Sequence, residues 1–129
     1  MARPFAIYTD NAPAPAPELS QAVQINDMIF CSGTMAIDPE TGHLIENTFK
    51  KRVERCLINL ESILIAAECD FKNVVKVNVF STDMRNLDEL DESYNEFVNR
   101  FDMDGDPART CVAVHQLPWG TDVMIDCIA

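Results

Sequence analysis

Histidine is nearly missing from this 129-residue chain, which has only His43 and His115. Neither has a second histidine or a CxxC pair nearby, and none of the five cysteines (Cys31, Cys56, Cys69, Cys111, Cys127) is in CxxC spacing. An odd number of cysteines so spaced indicates neither a zinc site nor a disulfide framework, and it favours a reducing compartment. Basic residues are scarce too, 10 Lys and Arg against 21 Asp and Glu, for a formal charge of −11. Such a surface repels nucleic acid and anionic membranes. No apolar run reaches membrane-spanning length, and the first ten residues, MARPFAIYTD, hold neither a hydrophobic signal core nor an Arg/Ser-rich presequence. The expectation is a cytoplasmic protein with no membrane or nucleic-acid partner, or a mitochondrial one whose presequence was removed. Internal repeats and low-complexity tails are also absent.

What is present suits one domain over residues 1–129: 47% of the residues are apolar, and the length allows a sheet with helices covering one face but no second domain. Phe5–Thr9 reads as a first strand, followed by a proline-alanine connector at Asn11–Pro17. Ser20–Ile25 and Met28–Thr34 read as a hairpin around Asn26-Asp27, and Asp38–Gly42 as a turn into a further antiparallel strand at His43–Ile45. From Thr48 to Cys69 the period changes. Val53, Leu57, Leu60, Leu64 and Ala67 fall 4, 3, 4 and 3 apart, one apolar stripe on a helix that Thr48 can cap. Val74–Ser81 alternates Val75, Val77 and Val79 against Lys76 and Asn78, as a strand with one buried face does. A second helix carries Leu87, Leu90, Tyr94, Phe97 and Phe101. Ala108–His115 and Asp122–Ala129 are the last strands, joined by a turn at Gln116–Gly120.

Asp106–His115, DPARTCVAVH, carries the most chemistry. Strand alternation puts Thr110, Val112 and Val114 on one face and Arg109, Cys111 and Ala113 on the other. An arginine among buried residue types needs a carboxylate, from the protein or from a ligand; otherwise it is an edge-strand arginine reaching water. Cys111 shares its face, so it either lines whatever Arg109 binds or, activated by the cation, reacts covalently; no histidine is placed to act as its base. The acidic run Asp102–Asp106 looks like the opening of a calcium loop, but its glycine comes too early and no glutamate closes it. No metal or cofactor is expected.

PAR followed by T-C-V-x-V and LP-x-G, together with S-Q-A-V at Ser20–Val23, F-C-S-G at Phe30–Gly33, D-P-E-T-G at Asp38–Gly42, N-V-V-K at Asn73–Lys76 and V-F-S-T-D at Val79–Asp83, resembles the Rid (YjgF) family of reactive-intermediate deaminases, formerly the L-PSP endoribonuclease family. The resemblance runs from about Asn11 to Ala129. It implies an α+β, chorismate-mutase-like subunit: a mostly antiparallel sheet with two helices on one face, in a homotrimer with the sheets facing inward. Trimerisation would cover the sheet face the helices leave bare, and Cys31, Cys111 and Cys127, poorly explained as solvent-facing strand residues, agree with such cover. The resemblance also implies a small-molecule cleft between subunits whose arginine, here Arg109, holds a substrate carboxylate.

A guanidinium meeting a carboxylate through two parallel hydrogen bonds would orient a 2-imino acid, and hydrolysis of its C=N bond then needs a positioned water. Ser32 and Gly33 can lend a hydroxyl and a close backbone approach. Three positions depart from the family pattern: Leu19 where competent members have tyrosine, Asp91 where they commonly have asparagine, and Met124 where they have the glutamate taken to position the water. Asp126 does not replace that glutamate, because the family usually has an acid there as well. The expectation is therefore a carboxylate-binding Rid protein whose activity, of the 2-iminobutanoate/2-iminopropanoate deaminase type, is weak or altered. Two alternatives stand beside it: a non-catalytic carboxylate-binding trimer, and the endoribonuclease activity attached to some relatives. The charge and the lack of a histidine pair disfavour the latter.

Overall fold

The computed structural model describes residues 1–129, and its organising element is a six-stranded sheet. The strands are β1 (Phe5–Ile7), β2 (Ala22–Ile25), β3 (Met28–Thr34), β4 (Lys76–Ser81), β5 (Ala108–Ala113) and β6 (Val123–Ile128); the helices are α1 (Phe49–Ala66) and α2 (Leu87–Val98). The spatial order is β1-β2-β3-β6-β4-β5. All neighbours are antiparallel except β4 and β5, which run parallel because α2 carries the chain back between them. The expected α+β class, with two helices on a mostly antiparallel sheet, is what the chain forms.

Both helices pack on the same face. The stripe Val53, Leu57, Leu60 and Leu64 of α1 is buried against Cys31, Val77, Val79, Val123, Ile125 and Cys127 of the sheet, while Leu90, Tyr94 and Phe97 do the same from α2. Thr48 caps α1 by accepting from the Lys51 N–H at 3.2 Å. The helix stops at Ala66, short of the expected Cys69, because Glu68 takes a left-handed φ of 62° and the Cys69 N–H turns back to the Leu64 carbonyl.

Three further expectations need correction. His43–Ile45 is not a strand; Leu44 makes a single bridge to Ile37. The two segments meet only through the Asp38 N–H to the His43 carbonyl at 3.0 Å and the Ile45 N–H to the Ala36 carbonyl at 2.9 Å, while the alternate carbonyls of Met35 and Ile37 turn the other way to accept from the buried Asn59 amide of α1 at 3.0 Å each. Cys31 and Cys127 do not lie on the bare sheet face: they are directly opposed in the β3/β6 register and buried beneath the helices. Val75 is exposed rather than buried, one residue before β4 begins.

The other sheet face is open in the single chain. Phe30 and Ile128 are paired across β3 and β6, Met124 and Phe80 across β6 and β4, and Phe80 and Val112 across β4 and β5. Phe30 is 40% exposed and Val112 41%. No helix is long and apolar enough to cross a membrane.

Candidate functional site

Arg109 enters β5 opposite Val77 of β4, so its side chain points to the helix-covered side at the sheet's edge strand. There α2 presents Asp91 and Tyr94, three residues apart and hence on one helical face. Arg109 Nη2 donates to Asp91 Oδ1 at 2.6 Å, and the guanidinium carbon lies 4.9 Å from the centroid of the Tyr94 ring. The carboxylate that a half-buried arginine requires is therefore supplied by the protein. Contact is through one nitrogen, and the other guanidinium N–H groups make no hydrogen bond within the chain. Beneath the cation the Tyr94 hydroxyl is buried without a partner, and burial raises its pKa more than Arg109 lowers it.

Leu19, Ser32 and Gly33 lie elsewhere, around a cavity of about 510 Å³. Its cover is the proline-alanine connector, held down by Gln21. That buried amide accepts from the Thr9 N–H at 2.8 Å and donates to the carbonyls of Thr9 and Pro13 at 3.0 and 2.9 Å. Ser32 Oγ donates to the Ser20 carbonyl at 2.7 Å. Gly33 sits at the irregularity in the β3/β6 register, and the thioether of Met124 lies over it; a Cβ on Gly33 would come within 2.9 Å of the Met124 sulfur. Asp126, on the same open face as Met124, is engaged by Asn78 Nδ2 at 2.8 Å.

The sequence-predicted residues thus form two groups. Arg109, Asp91 and Cys111 are on the helix side of the sheet's edge, while Gly33 and Met124 are on the open face, with Leu19 and Ser32 at the cavity. Strand β4 stands between β6 and β5, so two strand spacings, about 10 Å, and the sheet itself separate Met124 from Arg109. One copy of the chain does not bring them together.

A profile of the family described as Endoribonuclease L-PSP matches residues 9–129. The chain is 38% identical over 123 residues to the 2-iminobutanoate/2-iminopropanoate deaminase of Mus musculus, covering 95% of this chain and 88% of that protein. It superposes on YyfA of Yersinia pestis, a member of the conserved Rid protein family, with a TM-score of 0.92 and 33% identity over 98% of both chains. It also superposes on E. coli TdcF with bound serine, with a TM-score of 0.92 and 29% identity over 97% of both. The chain belongs to the Rid (YjgF) family.

Within this Rid protein Cys111 is partly buried beside the ion pair. Burial pushes its thiol pKa up; Arg109 pulls down and Asp91 pushes up again, leaving a net rise above the ordinary 9.0. The thiol is protonated at neutral pH, contrary to the thiolate that a lone cation would favour. Alkylation of Cys111 by iodoacetamide, followed by mass spectrometry, is expected to be slower at neutral pH than that of glutathione and to keep accelerating past about pH 9. Faster reaction than glutathione, levelling off near neutrality, would show that the guanidinium outweighs burial.

Sequence reasoning missed three features here. Tyr94 read only as a core position of its helix, although its spacing from Asp91 put both toward the arginine strand. Trp119 read as part of a turn, and a large aromatic between Pro118 and Gly120 was the available signal. The connector Pro13–Pro17 gave none, since its placement depends on the fold of Gln21 against it. No cluster of His, Cys, Asp or Glu is placed to hold a metal ion.

Proposed function

We propose that this Rid protein binds small 2-imino and 2-oxo carboxylates in a cleft between copies of the chain in a homotrimer, with Arg109 meeting the carboxylate. The observation that carries this reading is the division of the site: unengaged guanidinium N–H groups at the edge of one chain, and Leu19, Ser32 and Gly33 around a cavity they cannot share with it, with the Met124 thioether over Gly33. A second copy completes the site, and the uncovered Phe30, Phe80 and Val112 give the copies an apolar surface to associate through. The bound serine of TdcF, an amino acid with a carboxylate, and the imine substrates in the name of the mouse relative support the ligand class.

In the family reaction, water adds to the C=N carbon, and ammonia leaves to give the 2-oxo acid. Arg109 would anchor the substrate, Ser32 and Gly33 would border it, and Cys111 would line it as a neutral thiol. The water needs an acceptor, and where the family has glutamate a thioether lies over Gly33. Imine hydrolysis is accordingly weak in this reading. The same contact favours the alternative of a trimer that captures carboxylates without converting them. The family's endoribonuclease description does not carry over: a charge of −11 repels RNA, and His43 and His115 are exposed single histidines.

Size exclusion with light scattering is expected to give about three times the 14.5 kDa chain mass, and calorimetric titration with 2-oxobutanoate to show saturable binding. A clean monomer at micromolar concentration removes the inter-subunit cleft, and a folded trimer that takes up no 2-oxo acid removes the ligand class.

A further inference from the structure

Trp119 has φ 59° and ψ 20°, a left-handed conformation that bulky residues rarely adopt, and Gly120 follows it at φ 71°. Strain of this kind persists only where the surrounding structure imposes it, and it clusters at ligand sites. The turn is imposed by Pro118 and by hydrogen bonds from the Gly120 and Thr121 N–H groups to the carbonyls of Leu117 and Pro118, both 3.3 Å, with Thr121 itself buried. The result is an indole 71% exposed at the rim of the 510 Å³ cavity. A tryptophan held out by strained backbone has no stabilising role that a smaller residue would not fill better.

The cavity beneath it is chemically one-sided. None of its lining residues is charged, and Leu19, Pro17, Ile37 and Ile63 give it apolar walls. Of its polar side chains, the Gln21 amide is committed to Thr9 and Pro13 and the Ser32 hydroxyl to Ser20, which leaves the small hydroxyls of Ser20 and Thr34. No cation lines it to meet a carboxylate, so what enters is an uncharged, largely apolar part of the ligand. Ligand sites of this volume enclose molecules much larger than a four-carbon oxo acid.

We infer that the ligand is a 2-imino or 2-oxo acid with an aromatic side chain, its ring lodged between Leu19 and the Trp119 indole and its carboxylate left outside for Arg109 of a neighbouring copy. This rests on the carboxylate-binding reading above and assigns Trp119 as its specificity-determining residue. Offset stacking of two rings adds to simple apolar burial, which gives a phenyl group an advantage over an ethyl group.

The test is calorimetric titration of the assembled protein with phenylpyruvate and with 2-oxobutanoate, in wild type, Trp119→Gly and Trp119→Tyr. Glycine tolerates the left-handed backbone, so its variant removes the indole without disturbing the turn. Phenylpyruvate is expected to bind at least tenfold tighter than 2-oxobutanoate. That ratio is expected to fall at least fivefold in Trp119→Gly and to recover most of its value in Trp119→Tyr. A wild-type ratio near one, or a ratio indifferent to the loss of the indole, overturns the inference while 2-oxobutanoate binding keeps the carboxylate reading intact. Binding of neither acid overturns both.

Discussion

Replacing Arg109 by alanine is expected to weaken 2-oxobutanoate binding thirtyfold or more and to leave the chain folded. A charge-assisted pair between guanidinium and carboxylate in a partly desolvated cleft contributes about 2–4 kcal/mol, and alanine leaves the ligand carboxylate with nothing to replace it. The folded state loses less. The side chains of Arg109 and Asp91 are 25% and 39% exposed, so their single hydrogen bond is worth about 1 kcal/mol at most after solvent screening. The stacking of the cation on Tyr94 adds roughly 0.5–1 kcal/mol. Asp91, once unpaired, can hydrate. Calorimetry against 2-oxobutanoate, paired with a denaturant midpoint and light scattering, separates the two effects. Unchanged affinity in a folded variant would move the anchor elsewhere. The bond to Asp91 also implies that the anchor is blunted in the native protein, because a ligand must share the guanidinium with a resident carboxylate.

That resident carboxylate marks the boundary of what the sequence made legible. Strand parity put Arg109 beside Cys111 and so demanded a negative partner, but parity cannot choose between a ligand and a helix that packs across the strand. Periodicity served well where one face of an element is buried: the stripe from Val53 to Leu64 and the alternation of Val77 and Val79 both depend only on spacing along one element. It failed where a tertiary contact decided. His43–Ile45 has strand-like composition, yet it pairs with Ala36–Asp38 through two hydrogen bonds only, and Asn59 ties the other edge of that segment to α1. Cys31 and Cys127 were correctly seen to avoid solvent, but parity says which residues share a face and not which face the helices cover. The cavity depends on Gln21 reaching back to Thr9 and Pro13, a contact with no local signature. The Rid motifs identified the family because they are sequence patterns. The division of the site into two groups required the strand order.

The largest change is expected on restoring a carboxylate in β6. Wild-type protein should hydrolyse freshly generated 2-iminobutanoate weakly or not at all, and Met124→Glu should raise the rate, since one well-placed general acid/base group contributes typically 10²–10⁴. The location favours the substitution: position 124 lies on the open sheet face and is only partly buried, so an introduced carboxylate keeps water within reach. Packing should tolerate it as well, because the thioether it replaces rests on Gly33, where there is no Cβ to meet. One opposing effect is the charge of Asp126 two residues along on the same face, which would raise the pKa of the new acid. For a group that must exchange protons near neutrality, that is no hindrance, and Asn78 already holds Asp126 at 2.8 Å. Adding Leu19→Tyr should increase the gain further by returning a hydroxyl to the cavity wall that Leu19 now lines. Asp91→Asn alone should act differently. It frees Arg109 and so tightens carboxylate binding several-fold, without supplying a group that handles water. Imine loss measured for wild type, Met124→Glu, Met124→Glu with Leu19→Tyr, and Asp91→Asn distinguishes these roles. If wild type already turns over as fast as the glutamate variant, and Asp91→Asn abolishes that turnover, the water belongs to Asp91, and the ion pair with Arg109 must open during the reaction.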